Sequence, residues 1–547
     1  MKNLKVIQFN KNDEFYFNLG KDCLQNGDIL KAIQYIHKAI NLAKTRDEFL
    51  LSSYYLVMAQ AYAMINNFDL SNYYYFLCLD SEIFAQLVYR GLGENFLQQK
   101  DFVSARYYLN KCVNLLENTQ LSDSAKKRLK IIEDINNKGF QVVDNYTDFN
   151  KAKKLQNAEQ LMSKGRFEQA IKIFEEVGEF NDPKVRAELS LAYFFMNDTK
   201  KGVELINNFG EETVLDLCNL LLIYYCEEEQ EKFNKIKDKL RSIEVKRAED
   251  NFKIGLTFAQ TEQLELGKLY MEKFLSTSKY ETELEFLYCL TCINCKDYES
   301  AKKKLIELKT LNPFSNYVFN YYLDICDKKI DKKMEYLFNI PISEYLKVQA
   351  KLKTFLVLED NQLKKEFLKD KDLFYFIAKL PETNTKILLL IKMAKLDGKD
   401  IKAFFSYILM GNDISCKTKN KIIIARLNVE NINKISFVKD NFYTKITLSN
   451  KKAMKISNEN VNKATLLSVE YLINETNIAD IYLRNICIYL QRKLGNEIQD
   501  ENVIACYITW KVTREGKLKS LNEICSYFNI SQNILYDFAQ KYNLTID

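Results

Sequence analysis

From Tyr16 the chain reads Tyr16-Phe17-Asn18-Leu19-Gly20-Lys21-Asp22-Cys23. Gly27-Asp28 follows, and then Ala32-Ile33-Gln34-Tyr35-Ile36-His37-Lys38-Ala39. Apolar or small residues fall at three- and four-residue steps on both sides of Gly27-Asp28, the spacing of one face of an α-helix. The stretch therefore predicts two short helices joined by a tight turn. The same spacing returns further on. Tyr55, Met58, Ala59, Tyr62, Ser71, Tyr75 and Cys78 form a second set, and Tyr89, Leu92, Gly93, Phe96, Ala105, Leu109 and Cys112 a third. A fixed period of this kind marks a chain built from stacked copies of one unit.

Later copies are less even. A long charged helix is expected around 121–140. After it come Ala158, Leu161, Gly165, Ala170, Phe174 and Pro183, and then a weaker set of Leu189, Ser190, Tyr193, Gly202, Ile206 and Phe209. Residues 214–242 read as helical but lack the small residues, so that copy is expected to be degenerate. Ile254, Gly255, Phe258, Gly267, Met271 and Phe274 restore the pattern. The clearest late copy holds Tyr288, Cys289, Cys292, Asp297, Tyr298, Ala301, Leu305, Leu308 and Pro313. Residues 316–340 are expected to add one imperfect pair, closed by Pro341.

Over roughly residues 13–340 this pattern resembles the tetratricopeptide repeat, a helix-turn-helix unit of about 34 residues. In that family three positions are small so that helix A and helix B can approach closely. Gly20, Ala32 and Ala39 hold those positions in the first unit. The resemblance implies a superhelix of helix pairs, each burying its apolar face only on its neighbours, with a concave side lined by helix A. It places Phe17, Lys21, Gln60, Met64, Arg90, Glu94 and Gln98 in that groove. Their mixture of apolar, amide and charged side chains suits a peptide or protein partner. A clamp for a chaperone's C-terminal carboxylate, which in this family uses lysine and asparagine where Phe17 and Lys21 stand, is not expected.

Composition agrees with helices and excludes much else. The chain has 547 residues, 47% apolar and 28% charged, with only 4 prolines and 15 glycines. Residues that punctuate turns are thus scarce. There is one histidine, His37, so histidine-rich metal sites are excluded and a Ser-His-Asp arrangement would have to use it. His37 itself is expected at the surface. No glycine-rich phosphate loop, HExxH or GxSxG occurs, so the chain reads as non-enzymatic and without a cofactor. No apolar run approaches the ~20 residues of a membrane span, and the N-terminus lacks a signal-peptide pattern. These features imply a cytoplasmic protein with no membrane contact and reduced cysteines. Cys289-x2-Cys292-x2-Cys295 could suggest a metal site, but two of the three fall on core positions of a repeat, where free cysteine serves as a small hydrophobe. Tyr73-Tyr74-Tyr75-Phe76 could stack on a ligand, yet its repeat spacing reads as core.

Net charge is +6, too mild to imply nucleic acid by itself. Residues 380–459 hold 15 Lys/Arg against 7 Asp/Glu, the one clear asymmetry. Lysine outnumbers arginine 67 to 12, a codon bias that discounts single lysines as functional signals.

Beyond residue 340 helical periodicity continues without the repeat, so 341–432 is read as a helical extension after a 1–12 tail and the 13–340 superhelix. One apolar stripe is expected at Tyr345, Val348, Leu352 and Phe355, and another at Leu388, Ile391 and Met393 to Leu396. Between Lys434 and Ser449 the period changes to two, which predicts a β-hairpin over 433–450 around Lys439-Asp440-Asn441. Residues 455–547 read as five helices over 458–474, 478–494, 500–514, 519–528 and 531–543. Their last three, with Val503 to Trp510, Leu521, Ile524, Cys525, Phe528, Ile530, Ser531, Leu535 and Tyr536, resemble a cyclin-box or transcription factor IIB-like repeat, or a generic helix-turn-helix. That resemblance implies a possible nucleic-acid contact by Gln532, Asn533 and Tyr536. Asp537 and a lone Lys541 make the same helix a poor phosphate binder.

The whole therefore reads as an all-α protein: a repeat superhelix, a helical extension, one small β-hairpin and a five-helix C-terminal domain. The expected function is a scaffold or adaptor that holds a protein or peptide in the helix A groove. The alternative is a repeat-containing transcription regulator whose C-terminal domain contacts DNA or the transcription machinery.

Overall fold

The computed structural model describes residues 11–43, 48–81, 83–142, 154–155, 157–162, 165–208, 213–278, 280–427, 429, 434–447, 458–476, 478, 480–495, 497–514 and 518–546. The chain divides into two compact units, one of residues 1–128 with 342–547, the other of residues 129–341.

Three helix pairs open the chain. They are α1 (Asp13–Gln25) with α2 (Ile29–Leu42), α3 (Glu48–Met64) with α4 (Phe68–Leu79), and α5 (Ala85–Gln98) with α6 (Phe102–Leu115). Helix α7 (Gln120–Val142) follows. Each pair turns in the same way. A residue with left-handed backbone, Gly27, Asn66 or Lys100, is followed by a residue whose side chain caps the next helix, Asp28, Asn67 or Asp101. The capping oxygen takes one of the helix's orphan N–H groups. Close approach within a pair needs a missing side chain. A Cβ on Gly20 would sit 2.6 Å from Ile36, and one on Gly93 would sit 2.6 Å from Leu109.

The left-handed turn also counts the copies in the second unit. Gly165, Asn197, Glu228, Glu262 and Lys296 all have positive φ, each between one helical segment and the next. Residues 214–242, expected to be degenerate, are a regular pair, Val214–Cys226 and Gln230–Ser242, turned at Glu228. Where other pairs put small residues, this one buries Leu221 and Phe233. Helices can pack through large side chains at a wider spacing, so small residues are not required for the pair to form. The imperfect pair expected over 316–340 is a single helix, Asn316–Lys328, ended by left-handed Lys329. The chain after it is irregular and is pinned by side chains. Asn294 bonds the backbone of Met334 at 2.7 and 3.1 Å, and Tyr322 donates to the Asn339 carbonyl.

In the first unit, residues 342–427 form six helices: Ile342–Val357, Asp360–Lys369, Lys371–Lys379, Asn384–Ala394, Lys399–Met410 and Cys416–Leu427. Val348, Leu352 and Phe355 are buried as expected. In Asn384–Ala394 the buried stripe is Leu389, Leu390 and Met393, while Leu388 is 56% exposed. The hairpin is present as β1 (Lys434–Lys439) and β2 (Phe442–Thr447), paired in antiparallel register with Phe437 opposite Thr444. Asp440 and Asn441 both have positive φ, the backbone of a two-residue turn that matches strand twist.

The sheet has a third strand, β3 (Asp480–Tyr482), parallel to β2 with Ile481 opposite Ile446. This corrects the reading of a helix from 478. That helix starts at Arg484, because a three-residue strand is too short to show a period of two. The remaining C-terminal helices, Glu459–Glu475, Glu501–Arg514, Leu521–Tyr527 and Gln532–Lys541, lie within two residues of the expected bounds at most ends.

A leucine at position 93 should displace Leu109 and force α5 from α6. Gly93→Leu is expected to cost on the order of 3 kcal/mol, measured by urea unfolding. The same substitution at Gly27, whose Cβ would meet nothing within 4 Å, should cost only the strain of its positive φ, about 1–2 kcal/mol.

Candidate partner-binding groove

Helix A of each of the first three pairs carries the residues expected in a groove. On α1, Phe17 is half-buried with its ring 4.4 Å from that of Tyr54, and the Lys21 ammonium lies 5.0 Å above the Phe17 ring. Tyr54 is itself fixed by donating to Asp13 at 3.1 Å. On α3, Gln60 is half-buried and Met64 is 56% exposed. On α5, Arg90 and Glu94 pair at 3.8 Å and Gln98 is exposed. Arg128, from the start of α7, comes within 3.9 Å of the same Glu94 oxygen. The Arg90 Nε is buried with no hydrogen-bond partner among the described residues. The structure thus gathers Phe17 with Lys21, and Arg90 with Glu94 and Arg128, into two clusters. Among the described residues, Gln60, Met64 and Gln98 make no hydrogen bond or ion pair with either cluster.

The opposite face, made by helix B, is occupied. The Tyr73–Phe76 run supplies much of the contact. Tyr74 stacks on Tyr62 at 5.6 Å inside its own repeat, as a core reading requires. Tyr73 instead meets Tyr407, and Phe76 stacks on Tyr443 of β2. Tyr107 meets Phe442 edge-on at 4.6 Å. Polar bonds fix the register. The Tyr108 hydroxyl donates to the Asn441 carbonyl at 2.7 Å and accepts from the Tyr443 N–H at 2.9 Å. The Asp80 carboxylate accepts from the Tyr443 hydroxyl at 2.7 Å and from Ser436. Asn441 donates to Asp101, the residue that caps α6. Burial alone would raise the Asp101 carboxyl, but the bonds from Ser104 and Asn441 leave it below its usual range.

The basic stretch 380–459 has a structural use that its composition did not show. Its cations reach the last carbonyls of helices, groups that no intrahelical donor satisfies. Lys392 bonds Leu356 and Leu358, ending Ile342–Val357, and Lys386 bonds Ala378 and Leu380, ending Lys371–Lys379. Arg426 bonds Ala394 and Leu396, and Lys439 bonds Ile473 and Asn474. Lys434 bonds the Asp80 carbonyl at the end of α4. Each cation also meets the negative end of a helix dipole. Lys419 donates to the Val438 carbonyl of β1 at 2.6 Å.

At the C-terminus, Ser520 with Glu523 and Ser531 cap the two final helices as expected. Asn533 and Tyr536 are exposed, and Gln532 bonds Asn522 at 2.5 Å. Lys541 is paired with Glu497. His37, expected at the surface, is half-buried with its ring nitrogen 3.5 Å from the Tyr74 hydroxyl. Burial lowers its pKa to about 4, so it is neutral at pH 7. Cys289 and Cys292 are buried core residues, and burial pushes the Cys292 thiol up to about 12. Among the described residues no group of three His, Cys, Asp or Glu could hold a metal ion, and no helix is long and apolar enough to cross a membrane.

These features define a helix-pair repeat protein with one face covered and one carrying exposed side chains. Residues 13–46, the α1–α2 pair, match the family model described as tetratricopeptide repeat, so the chain carries this repeat. The TPR repeat-containing protein YvcD of Bacillus subtilis (strain 168) is 28% identical over 144 residues, 25% of this chain and 30% of that protein. Similar solved structures include the P58(IPK) TPR domain, at 12% identity over 58% of this chain and 97% of that one, with a TM-score of 0.26. The yeast Tom70 is 12% identical over 95% of this chain and 99% of that one, with a TM-score of 0.27.

Lys419 gives the fold a pH dependence. It is buried, and desolvation lowers its pKa to about 8 from the usual lysine value of 10.5, partly offset by Cys416, Asp413 and Asp440. Between those values the unfolded chain binds the proton and the folded chain has lost it. Stability from this group therefore rises with pH across about 8 to 10.5. Unfolding in urea at pH 7.5 and pH 10 should show the parent gaining about 1–3 kcal/mol relative to Lys419→Met.

Proposed function

We propose that the chain is a non-enzymatic scaffold or adaptor that holds a peptide or protein segment along the helix A face of its first three repeats. The observation that supports this most is the contrast between the two faces. The helix B face is closed by the hairpin through Asp80, Tyr108 and their partners. The helix A face presents Met64, the Phe17–Lys21 pair and the Arg90–Glu94–Arg128 cluster. Aromatic residues, methionine and arginine are enriched where proteins recognise proteins. The TPR-named relative and the repeat match support a protein-interaction role of this general kind.

A DNA-contacting regulator is the weaker reading. Lys541 is engaged by Glu497, and Asp537 shares the exposed side of the last helix with Tyr536. The cations of 380–459 named above are turned to carbonyls rather than offered to phosphates.

The triple variant Phe17→Ala, Met64→Ala, Arg90→Ala tests the proposal. Proteins captured from lysate of the source cells, with and without nuclease, would be quantified on parent and variant. The expected outcome is nuclease-resistant partners on the parent and at least a tenfold loss on the variant, with unchanged helical circular dichroism. Equal capture by a folded variant would remove the groove from consideration. Partners that vanish with nuclease would favour the regulator.

A further inference from the structure

The unit of residues 1–128 and 342–547 contains a cavity of about 210 Å³. The hairpin, α6, Glu459–Glu475 and the β3 segment form its walls, and one side opens to solvent. Tyr107, Phe437 and Phe442 line it with aromatic surface, and Ile481 lines it with aliphatic surface. A closed apolar hole of about 150 Å³ accepts benzene. This one is larger, and most of its walls are apolar. The Thr476 hydroxyl already donates to the Leu472 carbonyl and the Tyr443 hydroxyl to Asp80, while Tyr107 and Thr444 supply the other hydroxyls of the lining residues. One ring-sized apolar group would fill it.

Among the described residues, Lys439 is the one formally charged side chain in the lining. Its ammonium donates to the Ile473 and Asn474 carbonyls at 3.0 and 3.4 Å. An ammonium has three N–H donors, and these carbonyls take two. The third can meet an anion at the rim, and the positive charge disfavours a cationic ligand.

We propose that this cavity is a binding site for a small aromatic or branched-aliphatic monocarboxylate. The apolar body lies between Phe437, Phe442 and Ile481, and the carboxylate pairs with Lys439. A site of this kind would let a small acid act on the sheet that closes the helix B face, separately from any partner on helix A.

Phenylacetate is a suitable probe, titrated into the full-length chain by calorimetry and by saturation-transfer NMR. Phenethylamine serves as the charge-reversed analogue and toluene as the uncharged one. The expected Kd for phenylacetate is about 0.1–1 mM, with phenethylamine and toluene each at least tenfold weaker. Lys439→Met should weaken phenylacetate at least tenfold, and Thr444→Leu, which grows into the cavity, should abolish binding. No saturation by phenylacetate at about ten times that range would overturn the site. Equal affinity for toluene or phenethylamine would overturn the carboxylate assignment, and neither comparison needs a variant that folds.

Discussion

A helix that ends inside a protein leaves carbonyls that must find a donor, and the first unit is organised around meeting that requirement. Four helices end against a lysine or arginine delivered by another helix or strand: Lys392, Lys386 and Arg426 from later helices, and Lys439 from the earlier strand β1. Lys434 does the same for α4, and in doing so ties residue 80 to residue 434. Leaving a buried carbonyl unpaired costs about 1–3 kcal/mol, so these bonds specify which helix can follow which. The resulting order sets where the hairpin lies, and the hairpin in turn covers the helix B face of the second and third repeats.

The repeats were legible because their constraints are local. Gly20 and Gly93 answer to side chains within the same pair, and the turn at Gly27-Asp28 is written in two adjacent residues. The pair over 214–242 escaped a reading based on small residues, since Leu221 and Phe233 pack it by a different route. Its turn, at left-handed Glu228, has no residue-type signature; Asn66, Lys100, Glu262 and Lys296 hold the same conformation with equally ordinary side chains.

What the sequence could not show was pairing at a distance. Nothing near Tyr108 announces that its hydroxyl will meet residues 441 and 443, and nothing in β3 announces a partner in β2. The excess of lysine over 380–459 was visible, but its meaning was not, because capping a carbonyl and attracting a phosphate require the same residue. For the groove, the sequence placed each side chain on its helix. The Arg128 contact to Glu94 depends on how α7 follows the third repeat, and so lay outside what a repeat pattern can express.

The bond between Tyr108 and Tyr443 also has a cost in time. The two residues are separated by 335 positions, and a ribosome adding about 5–20 residues per second needs roughly 20–60 s to make the second after the first. During that interval Phe76, Tyr107 and Tyr108 have emerged without the strand that covers them. The first three repeats are therefore synthesised well before the strand that completes them. A nascent chain in this state presents an aromatic surface to whatever is nearby, which makes its synthesis a natural client for cotranslational chaperones.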